Sequence, residues 1–249
     1  MNVATLITLL FLLAGLVAPL PYLTALIFIL SALSAMSVAP PDLLGGTSVT
    51  PQSLAVLFFL LRVCMKSDCV KEILISFLDF KKLGLLFAFF GIAAIGAVFL
   101  PKIFAGEIFV YNMRTTDLDQ VIPSITNFTQ AGYLFLSVMI TAAFYVLLRQ
   151  NPDFLDALLK AILAGGGAVI ATGLIDIIAN LLGKADLLKI FYTANYGYSA
   201  GEILGTRRVL GLTPEPAAYG GLAMTMASLL LFLRPVYTEK MRRFWIPFL

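Results

Sequence analysis

The sequence predicts an all-α, polytopic integral membrane protein with about six or seven transmembrane helices and two long outward loops. Of its 249 residues, 60% are hydrophobic and only 12% are charged. A soluble domain carries about a quarter charged residues, so this composition cannot build a surface that faces water on all sides. The apolar residues also fall in long blocks separated by polar segments, which is the pattern of membrane helices.

The apolar blocks define the predicted spans, and we treat residues 1–249 as a single transmembrane domain. The blocks cover residues 1–19, 21–38, 83–100, 131–148, 155–182 and 217–233. The run at 53–63 is short, and it predicts either a further span or a partly inserted helix. Because no basic residues precede the first block, we interpret it as a helix joined to the second by Pro19-Leu20-Pro21, and not as a signal peptide.

The distribution of lysine and arginine predicts the orientation. The segments at 62–82, 149–160 and 234–243 hold eleven of these cations, whereas those at 101–129 and 183–216 hold six. Cytoplasmic loops of membrane proteins are enriched in lysine and arginine, so the first set is predicted to be cytoplasmic and the second to face outward. The side on which the N-terminus lies depends on whether 53–63 crosses.

Several classes of function are disfavoured by what the sequence lacks. There is no histidine, which removes the commonest general base and the commonest metal ligand. Cys64 and Cys69 are too few for a disulfide framework or a zinc site, and we expect reduced thiols. The net charge of +3 follows the topology pattern and does not indicate nucleic-acid binding. We predict no metal and no cofactor.

The most concentrated polar chemistry lies in residues 207–216, the arginine loop, directly before the last apolar block. Pro216 suits the first turn of a helix, which places Glu215 near the N-cap. Helix N-termini favour carboxylates and phosphate groups, and the planar fork of Arg208 suits a diphosphate if Gly211 allows the chain to turn back. The alternative interpretation is that Glu215 only caps the helix while Arg207 and Arg208 contact lipid headgroups.

Two other charged residues are candidates. Asp176 lies inside an apolar block, where a carboxylate is costly unless paired or solvated, so it is either a functional group or a structural partner of Asn180, Lys184 or an arginine on another helix. Arg114 in the first outward loop is a second candidate for phosphate binding, although most charges on such loops are simply solvated.

Glycine and tyrosine residues offer weaker signals. The glycines at 165–167 and at 173 provide a small-residue face that predicts close helix packing. Tyr192, Tyr196 and Tyr198 could stack on sugar rings, with anchoring at the membrane interface as the alternative.

The stretch from Arg208 to Pro216 resembles the bacterial O-antigen polymerase/ligase superfamily, whose members carry an Arg-x-x-Gly-x-x-x-Glu-Pro motif in an outward loop. Two further stretches are similar in the same order, Ile103-Phe104-Ala105-Gly106-Glu107-Ile108-Phe109-Val110-Tyr111 and Asn127-Phe128-Thr129-Gln130-Ala131-Gly132-Tyr133-Leu134. Thr50-Pro51 before an apolar run that ends at Arg62 is also similar, with lower specificity.

The resemblance implies a metal-independent membrane glycosyltransferase that polymerises undecaprenyl-diphosphate-linked oligosaccharide repeat units of a surface polysaccharide (O-antigen, capsule or exopolysaccharide). Carried onto this sequence, Arg208 would neutralise the departing diphosphate, and Glu215 would orient or deprotonate the acceptor hydroxyl. The further substrate-binding candidates are Arg207, Arg114, Gly211 and Asp176. The implied partners are the lipid-linked oligosaccharide, membrane lipid, a flippase and a chain-length regulator.

Other functions remain open at this point. The ligase branch of the superfamily relies on an outward histidine that this chain lacks, which favours the polymerase branch. A secondary transporter would use Asp176 as an ion-coupling carboxylate, but we find no internal repeat of the kind such transporters show. Family members are usually longer, so the chain is also interpreted as a truncated member, which would leave an inactive remnant as a further alternative.

Overall fold

The computed structural model describes residues 2–40, 48–111, 118–194, 202–203 and 206–244. Most of these residues are helical. The α-helices are α1 (Val3–Gly15), α2 (Leu20–Leu30), α3 (Pro51–Cys64), α4 (Ser67–Leu78), α5 (Gly84–Ile103), α6 (Ile125–Gln150), α7 (Asp153–Leu181), α8 (Pro216–Phe232) and α9 (Glu239–Phe244). Short 3-10 helices follow α2, α7 and α8 at Ser31–Leu33, Ala185–Phe191 and Arg234–Val236.

Three helices in the described residues are long and apolar enough to cross a membrane. They are α5, α7 and the Asn127–Gln150 part of α6. The apolar helices α1, α2, α3 and α8 are shorter, with 10 to 17 residues. Because a perpendicular span needs about 20 residues, the structure supports a membrane protein, while the larger number of spans stays a prediction.

The chain divides into two compact units, which are described separately. The first comprises residues 1–62 and 151–249, and the second comprises residues 63–150. In the first unit, α7 packs against both α2 and α8. A Cβ atom at Gly165 would lie 2.8 Å from the Cβ atom of Phe28 and 3.1 Å from its carbonyl oxygen. The absence of a side chain at Gly165 therefore lets α2 and α7 approach closely, as the small-residue face predicted.

Arg62 ties the end of α1 to α3 in the first unit. One guanidinium nitrogen, Nη1, donates to the carbonyl oxygens of Gly15, Leu16 and Ala18 at 3.1, 3.1 and 2.5 Å. The last carbonyls of a helix have no intrahelical partner, and a cation satisfies them while complementing the helix dipole. Arg62 lies within the last turn of α3, whereas we had expected a basic loop to start at this residue.

The second unit contains a helix that we did not predict, because we had interpreted residues 62–82 as a basic loop. Helix α4 buries Cys69, Ile73 and Phe77, which are spaced four residues apart and share one helix face. The ring of Phe77 stacks on that of Phe87 in α5, with their centroids 4.8 Å apart. The Cys69 thiol donates to Gln150 Oε1 of α6 at 3.3 Å, and burial raises the pKa of this thiol.

Short β-ribbons correct the all-α prediction in the two loops that were predicted to face outward. Strands β1 (Phe109–Tyr111) and β2 (Leu118–Gln120) pair antiparallel, as do β3 (Glu202–Ile203) and β4 (Thr206–Arg207). Aromatic and β-branched residues, which form β1, favour extended chain. Helix α5 also continues through Pro101 to Ile103, beyond the predicted block at 83–100.

Candidate functional site

The arginine loop makes a tight, buried turn before α8. Gly211 has a φ of 58°, which confirms the predicted turn at this glycine. Thr213 is 1% exposed; its N–H donates to the Leu210 carbonyl at 3.2 Å, and its hydroxyl contacts the carbonyls of Leu210 and Glu215 at 2.8 and 3.0 Å. These bonds close the turn on itself, so the loop enters α8 in a defined direction.

Helix α8 begins at Pro216 with Glu215 as its N-cap residue, as the sequence predicted. The Glu215 side chain is exposed and makes no capping hydrogen bond. The alternative in which this carboxylate only caps α8 is therefore not the arrangement that the structure has.

Asp176 of α7 holds the arginine loop in place through hydrogen bonds. The residue is 1% exposed, and its Oδ2 accepts hydrogen bonds from the backbone N–H groups of Leu210 and Gly211 at 2.7 and 3.2 Å. Its Oδ1 accepts from Asn180 Nδ2 at 2.8 Å and lies 3.5 Å from Arg207 Nη2. A carboxylate buried in apolar surroundings is stable only when it is paired and hydrogen-bonded, and all these donors meet that requirement.

The two arginines of the loop have different surroundings. Arg207 donates to Asn180 Oδ1 as well as pairing with Asp176, and its side chain is 34% exposed. Arg208 is exposed and, with Arg207, lines an open pocket of about 270 Å³. The other residues lining this pocket are Asp176, Ile177, Asn180, Leu181 and Val209. Arg207 thus forms an ion pair within the protein, and both arginines line the pocket.

Tyr219 fills the space between the arginine loop and α7. Its hydroxyl donates to the Val169 carbonyl at 3.0 Å. A Cβ atom at Gly211 would lie 2.7 Å from the Tyr219 ring, and one at Gly173 would lie 2.0 Å from its hydroxyl oxygen. We predicted that Gly211 binds substrate, but the structure shows that this residue is buried. Glycine is required at this position because the backbone is left-handed and because the Tyr219 ring lies so close.

Tyr192 anchors the loop from another side. Its hydroxyl donates to the Gly211 carbonyl at 3.0 Å, so both polar backbone groups of Gly211 are used within the protein. Burial raises the pKa of Tyr192, and the negative charge of Asp176 raises it further, so the hydroxyl remains a donor at neutral pH. The hydrogen bond gives Tyr192 a structural part in the loop, which differs from both the sugar stacking and the anchoring at the membrane interface that the sequence suggested.

The structure therefore brings four of the predicted site residues together: Asp176, Arg207, Arg208 and Gly211. Glu215 lies at the end of the same loop but is not among the residues that line the pocket. Arg114, Tyr196 and Tyr198 lie outside the described residues. The hydrogen bond from Asn180, one helical turn after Asp176, confirms one of the partners that the sequence predicted for this carboxylate. The sequence analysis missed the part played by Tyr219.

Comparison with known proteins adds no relative. No family model, no curated protein and no solved structure matches the chain. Within the described ranges, no group of three or more His, Cys, Asp or Glu side chains could hold a metal ion.

Proposed function

We propose that the chain is a membrane glycosyltransferase that polymerises undecaprenyl-diphosphate-linked oligosaccharide repeat units of a surface polysaccharide. The observation that carries this proposal is the arginine loop itself. A buried carboxylate, Asp176, fixes the loop so that Arg208 faces an open pocket and Glu215 stands exposed at the N-terminus of α8. The resemblance of residues 208–216 to the polymerase motif gives this arrangement its chemistry.

Arg208 is assigned to the departing diphosphate. During transfer, the bond between the anomeric carbon of the donor glycan and the diphosphate oxygen breaks, and the carrier diphosphate leaves with the electron pair. Negative charge therefore grows on the diphosphate, where a guanidinium can form two parallel hydrogen bonds. The pocket that Arg208 lines is open enough to admit such a group.

Glu215 is assigned to the acceptor. The acceptor hydroxyl oxygen forms the new bond to the anomeric carbon, and the proton that it loses passes to the Glu215 carboxylate and then to solvent. The exposed, uncapped carboxylate is accessible for this role.

Asp176 is assigned to positioning and not to substrate binding, which revises the prediction from sequence. Its two oxygens are occupied by Leu210, Gly211, Asn180 and Arg207, so it acts on the substrate only through the loop that it holds. The same occupancy disfavours the transporter alternative, in which this carboxylate would have to exchange ions.

The proposal includes the membrane topology. The shorter apolar helices would cross or enter the bilayer beside the three long ones, giving about six or seven spans in a bacterial inner membrane. The lysine and arginine distribution favours an arginine loop that faces the periplasm. A flippase would deliver the lipid-linked donor, and a chain-length regulator would end the polymer.

The test is complementation of a bacterial host that lacks its own polymerase. The unmodified chain should restore a ladder of polysaccharide lengths, and Glu215→Gln, which keeps the size of the side chain but removes the base, should reduce the ladder by about 100-fold or more. Glu239→Gln in α9 is the control, since it removes an exposed carboxylate at the other end of α8. An inserted chain that produces no ladder, or a normal ladder from Glu215→Gln, would count against the proposal.

A further inference from the structure

A second cluster of cations lies at the opposite end of α8 from the arginine loop. Residues 234–243 contain four cations, Arg234, Lys240, Arg242 and Arg243, against one carboxylate, Glu239. Because α8 has 17 residues at a rise of about 1.5 Å each, roughly 25 Å of helix separates this cluster from Glu215. The cluster is therefore separate from the site described above.

The three arginines of this cluster line one hollow. A hollow of about 540 Å³, the C-terminal hollow, is lined by Arg234, Pro235, Arg242 and Arg243. Arg234 comes from the 3-10 helix after α8, and the other two arginines come from α9. Cations that only follow the end of a membrane helix need not lie close together. Here arginines from two helices line the same concave surface, and this arrangement calls for a further explanation.

Packing of the segment against α7 fixes this convergence. Tyr237, between the two elements, is 4% exposed, and its hydroxyl donates to the Leu159 carbonyl of α7 at 3.1 Å. Burial raises the pKa of Tyr237 to about 12, so this bond persists at neutral pH. Tyr237 belongs to a core cluster with Leu159, Ile162 and Leu230, against which Met241 of α9 also packs. The backbone that carries the arginines is thus held by buried contacts on both sides of Tyr237.

The charges of the hollow are only partly neutralised within the protein. Arg243 pairs with Glu239 at 2.7 Å, one turn earlier on α9. At the same end of α7, Asp156 pairs with Lys160 at 2.6 Å. Among the described residues, no ion pair joins Arg234 or Arg242 to a carboxylate. Arg234 and Arg242 therefore line the same hollow with positive charge that attracts an anion.

We propose that the C-terminal hollow is a binding site for a phosphate group, presented by the headgroup of an anionic membrane lipid. Arginine binds phosphate oxygens through two parallel hydrogen bonds, and basic pockets beside membrane helices take anionic headgroups. The position of the hollow directly after an apolar helix sets it at the depth of such headgroups. The inference rests on the geometry of this segment and on the proposed entry of α8 into the bilayer, and it does not depend on the polymerase activity.

The test compares two cations on α9 that differ in position but not in exposure or charge. The purified full chain would be placed in nanodiscs of zwitterionic lipid containing a small fraction of phosphatidylglycerol, and the phosphatidylglycerol that stays bound to the protein after extraction would be quantified by mass spectrometry. Arg242→Gln should weaken phosphatidylglycerol binding by about tenfold, whereas Lys240→Gln, which removes the same charge outside the hollow, should change it less than about twofold. A parallel arm measures displacement by inorganic phosphate.

Each outcome bears on the inference. A selective loss in Arg242→Gln supports the phosphate site, and the inorganic-phosphate arm then separates the two sources. If millimolar inorganic phosphate leaves binding intact, the lipid headgroup is the ligand; if it competes and this too requires Arg242, the site takes free phosphate and the lipid assignment is overturned. Equal losses in Arg242→Gln and Lys240→Gln, or no preference for phosphatidylglycerol over zwitterionic lipid, would overturn the phosphate site altogether.

Discussion

Replacing Asp176 with Asn is expected to reduce polymer synthesis by roughly 30- to 100-fold while the chain still inserts into the membrane. The substitution keeps the shape of the side chain but removes the charge that accepts hydrogen bonds from Leu210, Gly211 and Arg207. A hydrogen bond to a charged group contributes about 1.5–3 kcal/mol. Each increase of about 1.36 kcal/mol in the activation free energy lowers the rate about tenfold. The measurement is the yield of the polysaccharide ladder, normalised to inserted protein.

The matched control for this change is Asp156→Asn in the same helix. Asp156 is exposed and pairs with Lys160 one turn later. Its loss should leave the ladder unchanged, since surface ion pairs contribute about 0–1 kcal/mol. Because Asp176 acts through the loop, its variant should lower the turnover number more than it raises the KM for donor. An intact ladder from Asp176→Asn together with lost ion-coupled uptake would instead favour the transporter alternative.

Replacing Arg208 with Lys is expected to reduce polymer synthesis nearly as far as Arg208→Ala does, by at least about tenfold. Lysine keeps the positive charge but offers a point charge in place of the planar fork that binds two phosphate oxygens at once. Charge alone would predict the opposite order, with Lys close to the unmodified protein. The measurement is again the normalised ladder yield of the two variants side by side.

Arg149→Lys is the control for this second prediction, because it makes the same exchange at an exposed arginine in the last turn of α6, outside both proposed sites. Its ladder should match that of the unmodified chain. Full synthesis by Arg208→Lys would show that the diphosphate needs only a positive charge at this position, and the proposed bidentate contact would then be wrong.

The parts of the site that follow from local chemistry could be predicted from sequence. Gly211 adopts the turn that its lack of a side chain allows, and Pro216 begins α8 because its missing N–H is not needed in the first turn. The buried position of Asp176 could also be predicted, since an apolar block surrounds it. In each case the residue and its immediate neighbours carry the information.

The parts that depend on tertiary contacts could not be predicted. Asp176 receives N–H groups that lie 34 and 35 residues later in the chain, and no spacing rule links such positions. The role of Gly211 in making room for Tyr219 depends on a contact across two elements. Helix α4 was missed for a different reason, because the charges around Cys69, Ile73 and Phe77 hid an apolar face only three turns long.

The central claim is that this chain itself transfers a glycan from one lipid carrier to another. The most direct measurement uses purified chain in nanodiscs, supplied only with undecaprenyl-diphosphate-linked repeat units, and quantifies both products by mass spectrometry. We predict carrier-linked products of two or more repeat units, with one undecaprenyl diphosphate released for each linkage formed, and loss of both products in Arg208→Ala. Unchanged repeat units after incubation with correctly inserted protein, or longer products without matching release of the carrier diphosphate, would contradict the account.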